Sequence, residues 1–173
     1  AMSDTTGSLT SRLAQVGAEL LVETLPNYLA GEIAAVPQPV IGASAVRPMT
    51  KADGWIDWSQ SSELIERQCR AMLPWPKCWT TLPDGKVMQV TGVSVAPNGV
   101  GAKGEVSIAQ KRVLVVCGSG SLELVRVQIA GSAESDAASL INGRKLTGGD
   151  LLGRSGAPED RPPLIRTIVP DET

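Results

Sequence analysis

The spacing of apolar residues predicts a helical N-terminal part followed by a longer β-rich part. Near the N-terminus, apolar residues recur at i, i+4, i+7 and i+11, namely Leu9, Leu13, Val16 and Leu20. This spacing predicts a helix that begins near Ser8 and has one apolar face. Such a face needs a partner, so we expect the helices of residues 1–36 to pack on the rest of the chain, to self-associate or to be poorly ordered.

Glycine and proline positions predict where this helical part breaks and where it ends. Gly17 and Pro26 are expected to divide it, because both residues disfavour the interior of a helix. Residues 37–50 contain several prolines and little charge, which is typical of an interdomain linker. Residues 155–173 are polar and interrupted by prolines, so we expect a tail that is mobile or lies over the surface.

A second helix is predicted after the segment GWIDWSQ, with Ser59 as its N-cap and Pro74 at its end. One face of it is formed by Leu64, Ile65, Cys69 and Met72. Because Pro76 biases the preceding residue away from the α region, the chain is expected to leave in a fixed extended direction. We interpret the surrounding residues as a structural anchor rather than a ligand-stacking surface: Trp55, Trp58, Pro74, Trp75, Pro76 and Trp79.

The remaining pattern is that of short antiparallel strands separated by turn residues. The segments are CWTTL, KVMQVTGVSV, GEVSIA, RVLVVC and LELVRVQIA. In the last of these the apolar positions change parity between Leu124 and Val125, which indicates a bent strand. The segment SAESDAASLING predicts a short helix that ends at Gly143. The predicted fold is mainly β with α: an OB-type Greek-key β-barrel over residues 51–154 with an inserted helix, preceded by the helical segment and linker.

Composition excludes several classes of chemistry. The chain has no histidine, which excludes Ser-His-Asp triads, Cys-His dyads and histidine-containing metal sites. Cys69, Cys78 and Cys117 are too widely spaced for a zinc or redox motif, and we expect reduced, mostly buried thiols. No segment is long or apolar enough to cross a membrane, and the first residues do not form a signal peptide. We predict a cytoplasmic protein without a metal site.

Two glycine-rich segments and one acidic pair carry no recognisable catalytic motif. GSGS at residues 118–121 and GVGAKG at residues 99–104 lack the features of nucleotide-binding loops, and we predict hairpin turns. Asp53 and Asp57 have no neighbouring base or metal ligand in sequence, and we predict that they are solvated or capping acids. Net charge is −2, but residues 51–154 contain twelve Lys and Arg against ten Asp and Glu. This small excess permits binding to nucleic acid without establishing it.

Several segments, in a fixed order, resemble the methionyl-tRNA formyltransferase family. They are KADGWIDWSQSSELIERQCRAMLPWPKCWTTL, VVCGSGSLELVRVQIAG and INGRKLTGGDLLG, and they are similar to its C-terminal domain. The upstream segment DTTGSLTSRLAQVGAELLVETLPNYLAGEIAAVPQP is similar to the closing helices of its Rossmann-like catalytic domain. The resemblance covers about residues 4–153.

The resemblance implies an enzyme that transfers a formyl group from 10-formyltetrahydrofolate to the amino group of methionine on initiator tRNA. It also implies that the catalytic residues and the folate site precede residue 4. We therefore expect this chain to bind no cofactor and to be inactive alone. In the family the C-terminal barrel binds the tRNA and orients it, so the predicted partner is initiator Met-tRNA.

The basic residues match the family unevenly. Lys51 corresponds to a linker lysine, and Arg144 with Lys145 corresponds to a basic pair before the final strand. Pro48 replaces a second linker lysine, Leu73 replaces a usual asparagine, and Ser132 with Ala133 replaces a common lysine pair. The candidate tRNA-binding residues are Lys51, Lys77, Lys111, Arg112, Arg144 and Lys145.

Two other functions are compatible with the sequence. The barrel could belong to another 10-formyltetrahydrofolate-using enzyme, either a sugar-nucleotide formyltransferase or a dehydrogenase. It could also be a non-catalytic protein-interaction domain, which the near-neutral charge permits. Salt-dependent tRNA binding would separate the first hypothesis from these two.

Overall fold

The computed structural model describes residues 3–39, 42–159 and 162–167, which form two compact units. The first unit contains the described residues up to Met49 together with those from Pro162 onward, and the second begins at Thr50. Each unit has its own set of elements, and the second contains the apolar core.

The first unit is dominated by one long helix, α1, Thr6–Leu29. Its N-terminus is closed by a capping box, in which Thr5 accepts a hydrogen bond from the Ser8 amide at 3.2 Å and Ser8 Oγ accepts one from the Thr5 amide at 3.0 Å. Gly17 and Pro26 both lie inside α1, so the prediction that they divide the helix is wrong. The Ala- and Leu-rich residues around them favour the helix strongly enough to tolerate both. None of the described residues of α1 is buried, and its apolar stripe is exposed.

The predicted linker and the predicted tail each contribute a strand to the first unit. Strand β1, Ser44–Val46, pairs antiparallel with the last strand of the chain, Ile165–Thr167. An additional hydrogen bond joins the Arg47 amide to the Leu164 carbonyl at 3.2 Å. Three-residue strands contain too little alternation to be recognised in sequence, which is why neither was predicted.

The second unit is an antiparallel sheet with helices, which confirms the mainly β class. Its strands are β2 Cys78–Thr81, β3 Val87–Ala96, β4 Val106–Ala109, β5 Arg112–Val116, β6 Ser121–Ile129 and β7 Ser135–Asp136; the strand of residues 165–167 is β8. The order is β2-β3-β6-β5-β4, and β7 also pairs with β6. Residues 150–153 link the two edge strands, β4 and β2. The Val106 amide of β4 donates to the Asp150 carbonyl at 2.8 Å, and the Gly153 amide donates to the Thr81 carbonyl of β2 at 2.9 Å.

The buried face of strand β6 changes in the middle of the strand, in agreement with the change of parity in its sequence. Val125 is 42% exposed, whereas the buried positions on either side of it change parity: Leu122, Leu124, Val127 and Ile129. The register with β3 shifts at Gly92, which faces Arg126. A Cβ at Gly92 would lie 3.0 Å from the Arg126 side chain, so glycine permits the close approach of the two strands.

Two short helices cover the sheet. Helix α2, Ser62–Ala71, has Ser61 rather than the predicted Ser59 as its N-cap, with the Leu64 amide donating to Ser61 Oγ at 3.3 Å. Ile65 and Cys69 of α2 are buried with Met72, but Leu64 is 45% exposed because it lies one residue, about 100°, away from the face they share. Helix α3, Ala138–Asn142, ends at Gly143 as predicted.

Candidate nucleic-acid interface

Three of the four tryptophans belong to one wall of the second unit. Trp55 and Trp79 pack edge to face, with ring centroids 4.9 Å apart and planes at 71°. Trp58 is 5% exposed, and its indole N–H donates to Thr80 Oγ1 at 3.3 Å. The indole N–H of Trp79 donates to the Lys51 carbonyl at 2.8 Å. Trp75 does not share this burial, because 52% of it is exposed.

The segment between α2 and β2 is a tight turn. The Lys77 amide donates to the Met72 carbonyl at 2.9 Å, which reverses the chain, so the prediction of a fixed extended direction is wrong. The peptide bonds before Pro74 and Pro76 are cis, and Lys77 has a left-handed conformation with φ of 66°. The Lys77 carbonyl comes so close to Gly54 that a Cβ there would lie only 2.1 Å from its oxygen. Only glycine therefore fits at position 54.

Two of the predicted basic residues are brought together in a cavity beside this turn. The cavity has a volume of about 460 Å³, and its lining residues are Lys51, Pro74, Trp75, Pro76, Lys77, Trp79, Val87 and Gln89. The ammonium group of Lys77 donates to Gln128 Oε1 at 3.3 Å. Gln128 lies in a neighbouring cavity of about 210 Å³, which shares Val87 and Gln89 with the first.

Lys111 and Arg112 lie on the β4–β5 hairpin. Gln110 and Lys111 form its two-residue turn, and both have positive φ, as a type I′ turn requires. The guanidinium of Arg112 forms a bidentate ion pair with the carboxylate of Glu123, with 2.8 Å between Nε and Oε1. This pairing raises the pKa of Arg112 and lowers the pKa of Glu123. A phosphate would have to compete with Glu123 for the guanidinium of Arg112. The neighbouring Lys111 is exposed to solvent.

Arg144 and Lys145 directly follow α3, and both are exposed. Their amides donate to Ile141 and Leu140, at 3.0 and 2.8 Å. Within the described part of the chain neither side chain forms an ion pair. These two cations are therefore available to a ligand, but they lie on a different element from the cavity and from the hairpin.

The two glycine-rich segments come together in a polar cavity of about 430 Å³. It is lined by residues from both segments, including Gly99, Lys103, Gly118 and Ser119. The Cys117 amide donates to Gly120 at 3.1 Å, so the GSGS segment is the predicted turn between β5 and β6.

All three thiols are free and buried, as the sequence predicts. A hydrogen bond with Cys78, together with burial, raises the pKa of Cys69 well above its ordinary value. Burial, with a smaller effect from Glu63, raises the pKa of Cys117 to about 11. The raised pKa values make Cys69 and Cys117 poor nucleophiles at neutral pH.

Sequence reasoning missed the residues of β3 and β6 that complete the cavity wall. Val87 and Gln89 alternate onto one face of β3, and this alternation was the available signal. The register that places Gln89 opposite Trp79 is a property of the folded sheet. Asp53, predicted to be a solvated or capping acid, is a capping acid and is buried: its carboxylate accepts a hydrogen bond from the Thr50 amide at 2.7 Å.

The described ranges lack a metal site and a membrane-spanning helix. They contain no group of three or more Cys, Asp or Glu arranged to hold a metal ion. They also contain no helix that is both long and apolar enough to cross a membrane.

Comparison with known proteins shows similarity over most of the chain. Residues 48–145 match the family described as formyl transferase, C-terminal domain. The chain is 39% identical over 153 residues to a methionyl-tRNA formyltransferase of Citrifermentans bemidjiense and 38% identical over 149 residues to one of Roseobacter denitrificans, covering 88% and 86% of this chain. It spans about half the length of these relatives, 48% and 47%.

Solved structures share the fold at lower identity. A variant of HypX from Aquifex aeolicus is similar over 80% of this chain and 26% of its own, with a TM-score of 0.57 and 17% identity. HypX in complex with tetrahydrofolic acid is similar over 76% of this chain and 23% of its own, with a TM-score of 0.53 and 19% identity.

Proposed function

We propose that this chain, which belongs to the formyl transferase C-terminal domain family, is the tRNA-binding portion of a methionyl-tRNA formyltransferase. The observation that supports this most strongly is the identity of 39% to a methionyl-tRNA formyltransferase over 88% of the chain. In this proposal the whole enzyme transfers a formyl group from 10-formyltetrahydrofolate to the amino group of initiator Met-tRNA. This chain supplies affinity and orientation and contributes no catalytic residue.

The proposed role follows from the chemistry of the exposed cations. Lys51, Lys111, Arg144 and Lys145 are exposed on a well-packed unit. Lysine and arginine side chains neutralise backbone phosphates and displace counterions, which gives affinity without sequence preference. Because these cations lie on turns and at helix ends of one packed unit, binding also fixes the direction of the bound RNA. Orientation of this kind accelerates a reaction by placing the reacting groups together.

Salt-dependent binding by the purified chain tests this function. Initiator and elongator tRNA should bind with similar affinity, with Kd of the order of 10⁻⁴ to 10⁻⁶ M near physiological salt. Replacing Arg144 and Lys145 together by Ala should weaken both interactions and flatten the plot of log affinity against log salt by roughly two units. The matched control replaces Arg67 and Lys86 by Ala, which removes the same charge from residues outside the candidate set.

Two results would overturn parts of this proposal. If the Arg144 and Lys145 double variant kept the wild-type affinity and slope, this pair would be excluded from the tRNA path. If the unmodified chain showed binding that did not depend on salt, or no binding, the electrostatic mechanism would fail. The non-catalytic protein-interaction barrel would then be favoured.

The proposal also includes an OB-type barrel, a cytoplasmic location and a role in translation initiation. It further includes self-association through the exposed apolar stripe of α1, where Leu13 is 58% and Leu20 is 60% exposed. Sedimentation velocity should then show a concentration-dependent dimer that is lost when Leu20 is replaced by Glu. A monomer at all concentrations would remove self-association without affecting tRNA binding.

A further inference from the structure

The cavity beside the PWP turn has the shape and composition of a binding groove. Trp75 is 52% exposed at its rim, whereas Trp55 and Trp58 are almost completely buried. An indole left half in solvent, next to a cavity of about 460 Å³, has a free surface against which a planar group can stack. Trp75 is not one of the buried residues that form the core.

The walls of the groove are held in place before any ligand binds. Trp79 is fixed on one side by its hydrogen bond to the Lys51 carbonyl and by its edge-to-face contact with Trp55. Trp75 lies between two prolines, whose rings restrict the backbone, in a turn closed by the Lys77–Met72 hydrogen bond. A groove that is already ordered loses little conformational freedom on binding.

The residues that line the groove favour an anionic ligand. Lys51 and Lys77 are its two charged lining residues, and neither forms an ion pair among the described residues. Glu134 lies outside the lining, although Lys77 contributes to lowering the pKa of its carboxyl. Gln89 adds an amide that can donate and accept hydrogen bonds. Beyond Gln89 the surface continues into the second cavity, next to Gln128. A chain-like ligand can therefore extend from the first cavity into the second.

We propose that this groove binds one unpaired nucleotide of an RNA chain. The base stacks on the indole of Trp75, and Lys51 and Lys77 neutralise the flanking phosphates. Aromatic stacking combined with cations is the usual way in which proteins bind single-stranded nucleic acid. An acidic peptide would satisfy the lysines but would leave the indole surface without a partner. This inference deepens the proposed function, on which it rests, by adding unpaired RNA to the phosphate contacts.

Binding of a short RNA to the full chain tests the groove directly. Fluorescence anisotropy with labelled five-nucleotide oligoadenylate and oligouridylate gives Kd for the wild type and for Trp75→Ala. We expect Trp75→Ala to raise Kd about 5- to 100-fold, and Trp75→Phe to restore part of the affinity. Tyr28→Ala is the matched control, because Tyr28 is 50% exposed and lies outside the second unit. Since Trp75 is exposed, both Trp75→Ala and Trp75→Phe should unfold at the same temperature as the wild type.

The charge component has its own readout. Replacing Lys51 by Met should flatten the salt slope for the oligonucleotides by about 0.7, the value for one phosphate contact on a single strand. Lys86→Met is the control, because Lys86 pairs with Asp84 and does not line the groove. Equal competition by an oligoglutamate peptide of the same charge would overturn the inference, since it would show that the base contributes nothing.

The outcomes separate this inference from the proposed function. If tRNA binds with the expected salt dependence but Trp75→Ala leaves the oligonucleotide Kd unchanged, the groove is not a nucleotide site and the proposed function stands. If the wild-type chain binds oligonucleotides but not tRNA, the proposed function fails. Failure of the wild-type chain to bind any oligonucleotide overturns the inference.

Discussion

Replacing Gly54 by Ala should destabilise the second unit by disturbing the tryptophan wall. The added Cβ would lie 2.1 Å from the Lys77 carbonyl oxygen and 3.1 Å from Cδ1 of Trp79. A Cβ atom essentially never lies within 3.0 Å of a non-bonded heavy atom, so the two segments must separate by about 1 Å. That separation breaks the 3.0 Å hydrogen bond from Ile56 to Trp79 and the 2.8 Å hydrogen bond from Trp79 to Lys51.

The expected magnitude follows from these interactions. Each hydrogen bond contributes about 0.5–1.5 kcal/mol, and the aromatic pair of Trp55 and Trp79 contributes a similar amount. Against them, alanine lowers the entropy of the unfolded chain relative to glycine, which stabilises by about 0.4–1 kcal/mol. We expect a net loss of about 2–3 kcal/mol. For a unit of about 110 residues this corresponds to a decrease in Tm of roughly 8–12 °C.

Thermal and urea unfolding, followed by tryptophan fluorescence and circular dichroism, would measure this loss. Gly148→Ala is the matched control, because a Cβ at Gly148 meets nothing within 4 Å. The control should be neutral or slightly stabilised. A Gly54→Ala protein whose free energy of unfolding lay within about 0.5 kcal/mol of the Gly148→Ala protein would refute the steric argument, since surface changes alone stay in that range.

Three further predictions concern the core, the thiols and an ion pair. Leu122→Ala should cost about 2–5 kcal/mol in urea unfolding because Leu122 is completely buried, whereas Val125→Ala on the exposed side of the same strand should change stability little; similar losses would contradict this difference in burial. At pH 8 the Cys117 thiol should react with iodoacetamide far more slowly in the folded than in the unfolded protein, because burial raises its pKa to about 11; equal rates would contradict its burial. The pKa of Glu123 is lowered from 4.5 by Arg112, so this pair stabilises the fold above that pH, and its contribution is lost as pH falls through the lower folded-state pKa. The stability difference between wild type and Arg112→Ala should therefore be larger at pH 6 than at pH 3, and a constant difference would exclude the pairing.

Much of the fold could be predicted because local patterns were clear. Alternating apolar residues located the strands, and Gly143 marked the end of α3. The parity change in β6 matches the change of its buried face. Predictions that depended on competition between local preferences were less successful, since α1 continues through Gly17 and Pro26 and α2 is capped by Ser61. Helix α1 therefore tolerates an unfavourable preference of about 1 kcal/mol at Gly17 and of about 3 kcal/mol at Pro26, because the many favourable residues around them outweigh it.

The candidate site shows the same division more sharply. The sequence alone identified the residue types of the site, including Lys51, Lys77 and the tryptophans. It also showed that histidine is absent. Only the tertiary structure decided that Lys51 and Lys77 share a groove while Arg112 is paired with Glu123. It also decided that Trp75 is exposed and Trp79 is not. Sequence determines which groups exist and which local conformations they favour, but partners, burial and available charge depend on contacts between residues far apart in the chain, such as the Trp79–Lys51 hydrogen bond.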